Sequence, residues 1–280
     1  MSVTAGLFLL SINPVSAENY ALVFSGGVDA SNNHDRYYEE TLRIWQDLVS
    51  CWGYDVNNVY VLFADGTNPA IDRSSGVSSD WSSIVSAGGN ISAATTNDFK
   101  NVIQTIGSSM ESGSDSFFFW SFDHGSQTEP AVKGSGSLCA WNDESIYSSQ
   151  FTTYLDPVLS QTPTWDAYIF TQCYAGDMAS SLGITSDDTN RFTAWAAAWN
   201  EVSYDKGFAD AWASGMEAGH TLTQTLGTYA VNNDPFGPNG TKEETPGWVG
   251  GLFSMAVPES GSGLLLLLSW GVIRATRRKR

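Results

Sequence analysis

Short, continuous apolar runs alternate along this chain with stretches in which apolar residues recur at helical spacing. Continuous apolar runs bounded by glycine or polar turns are typical of strands that are buried on both sides. Four segments have this character, and they cover residues 20–27, 58–66, 115–125 and 165–176. We predict that these four segments are core strands of one sheet.

The stretches between these runs include two with the period of an amphipathic helix. Residues 36–53 end at a glycine, and residues 96–110 begin with a Thr-Asn pair suited to a helix cap. Strands separated by helices predict a parallel sheet, and uninterrupted apolar runs predict that both of its faces are covered. The expected fold class is therefore α/β, a mostly parallel central sheet with helices on both faces. Residues 74–89 and 232–247 are predicted to be inserted loops.

Composition and charge limit which kinds of partner this protein can bind. The chain has 280 residues, 42% of them hydrophobic, which is enough to form a substantial core. Thirteen Lys and Arg stand against 30 Asp and Glu, so the formal net charge is −17. A protein this acidic repels phosphate backbones, and we expect no nucleic-acid partner.

The N-terminus has the pattern of an export signal. The apolar run "AGLFLLSINPVSA" closes on Val15, Ser16 and Ala17, which suits cleavage by a signal peptidase after Ala17. Residues 1–17 are therefore predicted to be a signal peptide, although the basic residues that usually precede such a run are missing. A first buried strand is the alternative interpretation of the same run.

The C-terminus, residues 257–280, combines a Val-Pro-Glu triplet, an apolar stretch from Leu264 to Ile273 and a basic end. This order resembles the PEP-CTERM sorting tail of Gram-negative bacteria, with Ser260 where that motif usually has a second proline. The Gly/Ser-rich lead also resembles a GlyGly-CTERM tail. The resemblance implies an exosortase-type processing enzyme as a partner. It also implies transient membrane anchoring and a final location at the cell surface or outside the cell. Residues 18–256 remain as the folded domain.

The third and fourth apolar runs both end in reactive side chains. Asp123, His124 and Gly125 close one run, and Cys173 follows the other. In parallel sheets, ligands bind at the carboxyl ends of the strands. If the two strands are neighbours, an imidazole and a thiol meet on one rim, which provides a base and a nucleophile. Backbone N–H groups of Gly125 and Cys173 are candidate donors to a developing oxyanion.

These two motifs, "FDHGS" and "FTQCYAGDM", resemble the catalytic signatures of the legumain-like (hemoglobinase) cysteine peptidases of the caspase-like clan, especially bacterial members. The segments "SNNHDRYYEETLRIW" and "AWAAAWNEVSY" resemble further parts of that family, as does the stretch from "NNDPF" to "EETPGW". The likeness covers most of Tyr20 to Trp248. It implies a caspase/hemoglobinase-like fold and a cysteine endopeptidase that acts on a peptide or protein substrate.

The resemblance also implies catalytic roles. Cys173 would be the nucleophile and His124 the general base and later the acid. Gly125 and Cys173 would donate to the oxyanion. Asn33 matches the position that orients the histidine, with the adjacent Asn32 as the alternative register.

The same resemblance places Arg36 and Ser203, and also Asp210, near the primary specificity pocket. Arg36 in the pocket would favour an acidic or amide side chain, whereas Asp210 would favour a basic one. Two departures matter, because Thr171 stands where legumain has an acidic residue and Gln172 replaces a small residue. A preference for cleaving after Asn does not follow.

Other interpretations remain open. A transpeptidase of the same fold, or a catalytically silent surface or matrix protein, would carry the same motifs. Cys51 and Cys139 are either buried thiols or a disulfide. His34 could compete with Asn33 for a role near the site, although a surface loop position is expected, and His220 is expected to be structural. Because the three histidines show no zinc spacing, no metal and no cofactor are expected.

Overall fold

The computed structural model describes residues 17–129 and 132–255. Nearly all of the predicted signal peptide and the whole of the predicted sorting tail lie outside these ranges. Within them, no helix has both the length and the apolar character that a membrane crossing requires.

Ten strands form in the described residues, seven in a large sheet and three in a small one. In chain order the strands are β1 (Asn19–Ser25), β2 (Val59–Phe63), β3 (Asn90–Ser92), β4 (Ser116–Ser121), β5 (Gly125–Gln127), β6 (Gly136–Cys139), β7 (Ser145–Tyr147), β8 (Asp166–Phe170), β9 (Arg191–Trp195) and β10 (Gly247–Gly250). The four predicted core strands are confirmed as β1, β2, β4 and β8.

Seven α-helices connect these strands in the part of the chain that the structure describes. They are α1 (Asp35–Ser50), α2 (Ser82–Ser86), α3 (Thr96–Ser109), α4 (Ser148–Leu159), α5 (Ala175–Ser181), α6 (Gly207–Glu217) and α7 (Thr223–Asn233). Both predicted helices are confirmed, as α1 and α3. The predicted loop at residues 74–89 contains the short helix α2, and the one at residues 232–247 begins in the last turn of α7.

The large sheet has the order β10-β9-β8-β4-β1-β2-β3, and every pairing except that of β10 with β9 is parallel. Parallel neighbours need crossover connections, which the helices supply. The predicted α/β class with a mostly parallel central sheet is confirmed.

Strand β4 shows how one run serves two cores. Phe117 and Phe119 pack on one face of the sheet, and Phe118 and Trp120 pack on the other; all four are fully buried. Successive side chains of a strand point to opposite faces, so a continuous aromatic run fills both. Helices α1, α6 and α7 cover the Trp120 face, and α3, α4 and α5 cover the Phe119 face.

The third apolar run is not one strand, as its sequence suggests. β4 ends at Ser121, a bend follows, and the chain re-enters a strand at Gly125 in the small antiparallel sheet β5-β6-β7. His124 lies between the two strands. The break places this histidine at the carboxyl edge of the large sheet.

Candidate active site

Strand pairing brings the two predicted motifs to the same level of the sheet. β4 and β8 are parallel neighbours, and Ser121 pairs with Phe170. His124 lies three residues beyond the first of these positions, and Cys173 lies three residues beyond the second. The condition set by the sequence, that the two strands be neighbours, is therefore met.

Both side chains line one cavity of about 190 Å³. The remaining walls come from the start of α1, the ends of β4 and β8, and the segment before α6. Its lining residues are Arg36, Tyr37, Phe122, Asp123, His124, Thr171, Gln172, Cys173, Ser203 and Asp205. The cavity thus combines a thiol, an imidazole and an arginine with polar main-chain groups.

The imidazole of His124 is oriented by a main-chain carbonyl. Its Nε2 lies 3.0 Å from the carbonyl oxygen of Asn32. Because a carbonyl only accepts, this contact assigns the ring proton to Nε2. Nδ1 then keeps its lone pair and is the nitrogen that can accept a proton from the thiol.

Tyr37 lies against the same ring and is a site residue that the sequence did not single out. Its hydroxyl is 3.4 Å from Nδ1 and 3.3 Å from Nε2 of His124, and the two rings meet edge to face with centroids 5.2 Å apart. Arg36 donates to the same hydroxyl at 3.3 Å. His34, for which the sequence left a position near the site open, also lies here, with its ring centroid 5.5 Å from that of His124.

Asp123 ties the end of β4 to the end of β1. Its carboxylate accepts from the main-chain N–H groups of Gly27, at 2.6 Å, and of His124. Burial raises the pKa of Asp123 to about 7, and the N–H donors, including that of Gly26, oppose the rise. The carboxylate therefore fixes the backbone immediately before the imidazole.

Cys173 sits at a sharp turn between β8 and α5. The next residue, Tyr174, has a φ of 57°, in the left-handed region that non-glycine residues enter at a cost of roughly 1–2 kcal/mol. The N–H of Tyr174 donates to the carbonyl of Glu201 at 2.8 Å, which helps to hold the turn. The strand–turn–helix geometry presents Sγ to the cavity.

Main-chain groups surround the sulfur. The N–H of Ser203 donates to Sγ at 3.3 Å, and Sγ lies 3.7 Å from the carbonyl oxygen of the same residue. Burial raises the pKa of the Cys173 thiol, and the N–H groups of Ser203 and Gly125 oppose that rise. Burial also lowers the pKa of His124. At neutral pH the pair therefore rests as thiol and neutral imidazole, so that the histidine can act as a base.

Gly125 lies where a side chain has no room. A Cβ at this position would fall far inside van der Waals contact with the carbonyl oxygen of Cys173. Glycine is therefore required for the two motifs to approach each other. Its N–H also lowers the pKa of the Cys173 thiol, opposing the effect of burial, as a donor on the side of the sulfur would.

The side chain of Asn33 does not contact His124. It is fully buried, and its Nδ2 donates to the carbonyl of Asp72 at 2.7 Å. The contact with the imidazole comes instead from the main-chain carbonyl of Asn32, which a side-chain motif cannot indicate.

The three predicted specificity residues do not lie together. Arg36 and Ser203 line the cavity, and Arg36 Nε lies 3.5 Å from Asp205, a lining residue that the sequence did not indicate. Asp210 lies on α6 instead, in an ion cluster with Arg43 at 2.9 Å and Lys206 at 3.7 Å. The structure therefore does not bring Asp210 to the candidate site.

The other cysteines are free thiols, Cys51 exposed after α1 and Cys139 buried in β6. Within residues 17–129 and 132–255, no three His, Cys, Asp or Glu side chains are grouped so that they could hold a metal ion.

No protein-family model matches this chain, and no curated protein matches it. Among solved structures, the one titled "Crystal Structure of drICE" is similar, with a TM-score of 0.47 and 12% sequence identity. The alignment covers 86% of this chain and 92% of that chain.

Proposed function

We propose that this protein is a cysteine-type endopeptidase that hydrolyses peptide bonds through Cys173 and His124. The supporting observation is that thiol and imidazole line one cavity at the carboxyl edge of the sheet, with main-chain N–H groups around the sulfur. The resemblance of both motifs to legumain-like peptidases points to the same chemistry.

The positions of the groups support the following proposed steps. Nδ1 of His124 takes the thiol proton, and the thiolate attacks the substrate carbonyl carbon while N–H groups of Gly125 and Cys173 stabilise the oxyanion. The C–N bond then breaks as His124 returns the proton to the leaving amine, which leaves a thioester. Water, deprotonated by His124, hydrolyses the thioester and restores Cys173.

Arg36 supports an acidic or amide side chain at the residue before the cleaved bond. Its guanidinium lies in the cavity, stacked on the Tyr37 ring at 4.9 Å, and is paired with the exposed carboxylate of Asp205. A substrate carboxylate can replace Asp205 at Arg36. The basic alternative loses its support, because Asp210 lies elsewhere.

Labelling with an electrophilic peptide probe tests the nucleophile. We expect wild-type protein to be labelled at Cys173 and Cys173→Ala to remain unlabelled, as mass spectrometry of the digest would show. Cys51→Ala and Cys139→Ala are matched controls and should label as wild type does. Label located at Cys51 or Cys139 would reject the assignment.

The hydrolase activity can be tested with a peptide library in which the residue immediately before the scissile bond is varied over all amino acids. We expect products from wild type and none from Cys173→Ala or His124→Ala. A protein whose Cys173 is labelled but that cleaves no peptide until an amine acceptor is added would be a transpeptidase instead.

We also propose that the protein is exported and that its tail is processed, on the basis of the terminal sequence patterns alone. Mass spectrometry of the mature protein from its host is the test. We expect an N-terminus after Ala17 and loss of the residues beyond Val257-Pro258-Glu259. An intact C-terminal Arg280 would reject the sorting proposal.

A further inference from the structure

The segment that contacts the sulfur of Cys173 is itself held from behind. Ser203 presents both its N–H and its carbonyl to Sγ, at 3.3 and 3.7 Å. This residue lies in an irregular segment, without a strand partner, between β9 and α6. Its position therefore depends on the groups that bind it on the side away from the thiol.

Glu244 is one of those groups. Its side chain is buried, at 4% exposure, and its Oε2 accepts from the N–H of Tyr204 at 2.9 Å. The Ser203 side chain also lies beside this carboxyl. Glu244 comes from the long connection between α7 and β10, so this contact joins two irregular segments directly behind Cys173.

Asp234 lies beside Glu244 and is equally buried, at 1% exposure. One of its oxygens accepts from the N–H of Phe236 at 3.0 Å, and Gly207 packs against the same carboxyl. One oxygen of each acid, Oδ2 of Asp234 and Oε1 of Glu244, is buried without a donor. Two adjacent carboxyls, each with one unpartnered oxygen, are satisfied together when they share one proton.

Among residues 17–129 and 132–255, no basic side chain forms a salt bridge with Asp234 or Glu244. Lys206, the basic residue of the same segment, is 3.1 Å from Glu40 instead. Glu201 accepts from the N–H of the adjacent Thr245 at 2.8 Å and adds a further negative charge nearby. Burial first and Asp234 second raise the pKa of Glu244, and a charged Glu244 in turn disfavours the Cys173 thiolate.

We propose that Glu244 is a positioning residue for Cys173. By sharing one proton with Asp234 it binds the Ser203–Tyr204 segment against the sulfur without adding a full negative charge beside the thiolate. This inference rests on the proposed role of Cys173 as nucleophile. It adds a second layer to the site, formed by a part of the chain about 70 residues beyond the cysteine.

The pH dependence of Cys173 modification by iodoacetamide, followed by mass spectrometry, tests the charge. Iodoacetamide needs no peptide cleavage, so its result stands even if the hydrolase proposal fails. In wild type, ionisation of Glu244 opposes that of the thiol, and we expect a broadened titration. Glu244→Gln keeps a neutral acceptor and should give a sharper titration with its midpoint at lower pH. Glu243→Gln, an exposed neighbour, should match wild type. Identical profiles for wild type and Glu244→Gln would overturn the shared proton.

Labelling with the electrophilic peptide probe tests the positioning. We expect Glu244→Ala to label at least tenfold more slowly than wild type and Glu244→Gln to stay within about threefold. Circular dichroism and thermal melts identify any variant that fails to fold. Asp234→Asn, whose side chain keeps one acceptor and one donor group, is a second variant for the same measurements. A folded Glu244→Ala that labels at the wild-type rate would overturn the proposal.

Discussion

The two halves of the candidate site are held by different chemistry. On the histidine side, a buried carboxylate, Asp123, accepts main-chain N–H groups, and the imidazole is held by a carbonyl. On the cysteine side, a buried carboxyl pair, Asp234 and Glu244, lies behind the segment that contacts the sulfur.

The two halves should therefore respond differently to pH. The main-chain N–H donors favour the charged form of Asp123, but burial outweighs them and raises its pKa to about 7, so this carboxyl gains its proton as the pH falls through neutral. A carboxyl pair that shares a proton loses its favourable arrangement when that proton leaves. The histidine side is therefore expected to limit activity at acid pH and the cysteine side at alkaline pH.

Removing the imidazole should have the largest effect. We expect His124→Gln to lower kcat/KM by about 10²–10⁴-fold, because the general base and acid is lost. Since burial lowers the pKa of His124 below its ordinary value of 6.5, wild-type kcat/KM should rise with pH through an inflection below that value. That inflection should be absent from the variant. If kcat/KM of the variant still fell at acid pH, that fall would have to be assigned to another group.

Gly125→Ala should disturb both halves, because this glycine lies between them. The new Cβ would overlap the Cys173 carbonyl oxygen, and relieving the overlap should lower the free energy of unfolding by about 1–3 kcal/mol. The melting temperature and the rate of probe labelling should both fall. Ser126→Ala, at an exposed position one residue along β5, is the control and should leave both unchanged. Wild-type labelling by Gly125→Ala would contradict the close approach.

Asp123→Asn should weaken the histidine side alone. An amide NH₂ would face one of the N–H donors that the carboxylate accepts, and a lost buried acceptor costs about 1–3 kcal/mol of unfolding free energy. Because the pKa of Asp123 is raised to about 7, wild-type stability from this group should decline as pH rises from about 4 toward 7.

In the asparagine variant, that pH-dependent decline should be absent from urea unfolding curves. Asp187→Asn, on an exposed turn, controls for loss of charge. An Asp123→Asn protein as stable as wild type would mean that the carboxylate does not secure this bend.

Tyr37→Phe should give the smallest change. The hydroxyl lies 3.3–3.4 Å from both ring nitrogens of His124, which is longer than a strong hydrogen bond. Its loss should therefore raise the activation free energy by only about 0.5–1.5 kcal/mol. We expect kcat/KM to fall by up to about tenfold without a change in melting temperature. Tyr147→Phe should have no effect on either. A drop as large as that of His124→Gln would make Tyr37 a proton-transfer group rather than an orienting one.

Much of the framework could be predicted from the sequence. Uninterrupted apolar runs such as residues 116–121 are typical of strands buried on both faces, and helices between such runs favour parallel pairing. The reactive residues follow the strands directly, so the carboxyl edge of the sheet was the expected place for His124 and Cys173. Their meeting there depended on the pairing of β4 with β8, which the structure shows.

The supporting residues were not predictable in the same way. Tyr37, Asp205 and Glu244 carry no local pattern, because aromatic and acidic residues at helix starts and in loops are common. Asn33 looked suited to orient the histidine, yet its side chain is buried against Asp72 and the neighbouring main-chain carbonyl makes the contact.

The α/β class and the candidate thiol and imidazole followed from the sequence alone. These features depend on local periodicity and on short motifs at strand ends. Only the tertiary structure decided which groups surround them: the Asn32 carbonyl, the Tyr37 ring, the Arg36–Asp205 pair and the carboxyls behind Ser203. Such contacts join segments far apart in the chain, and their distances depend on how the helices pack, which no local pattern encodes.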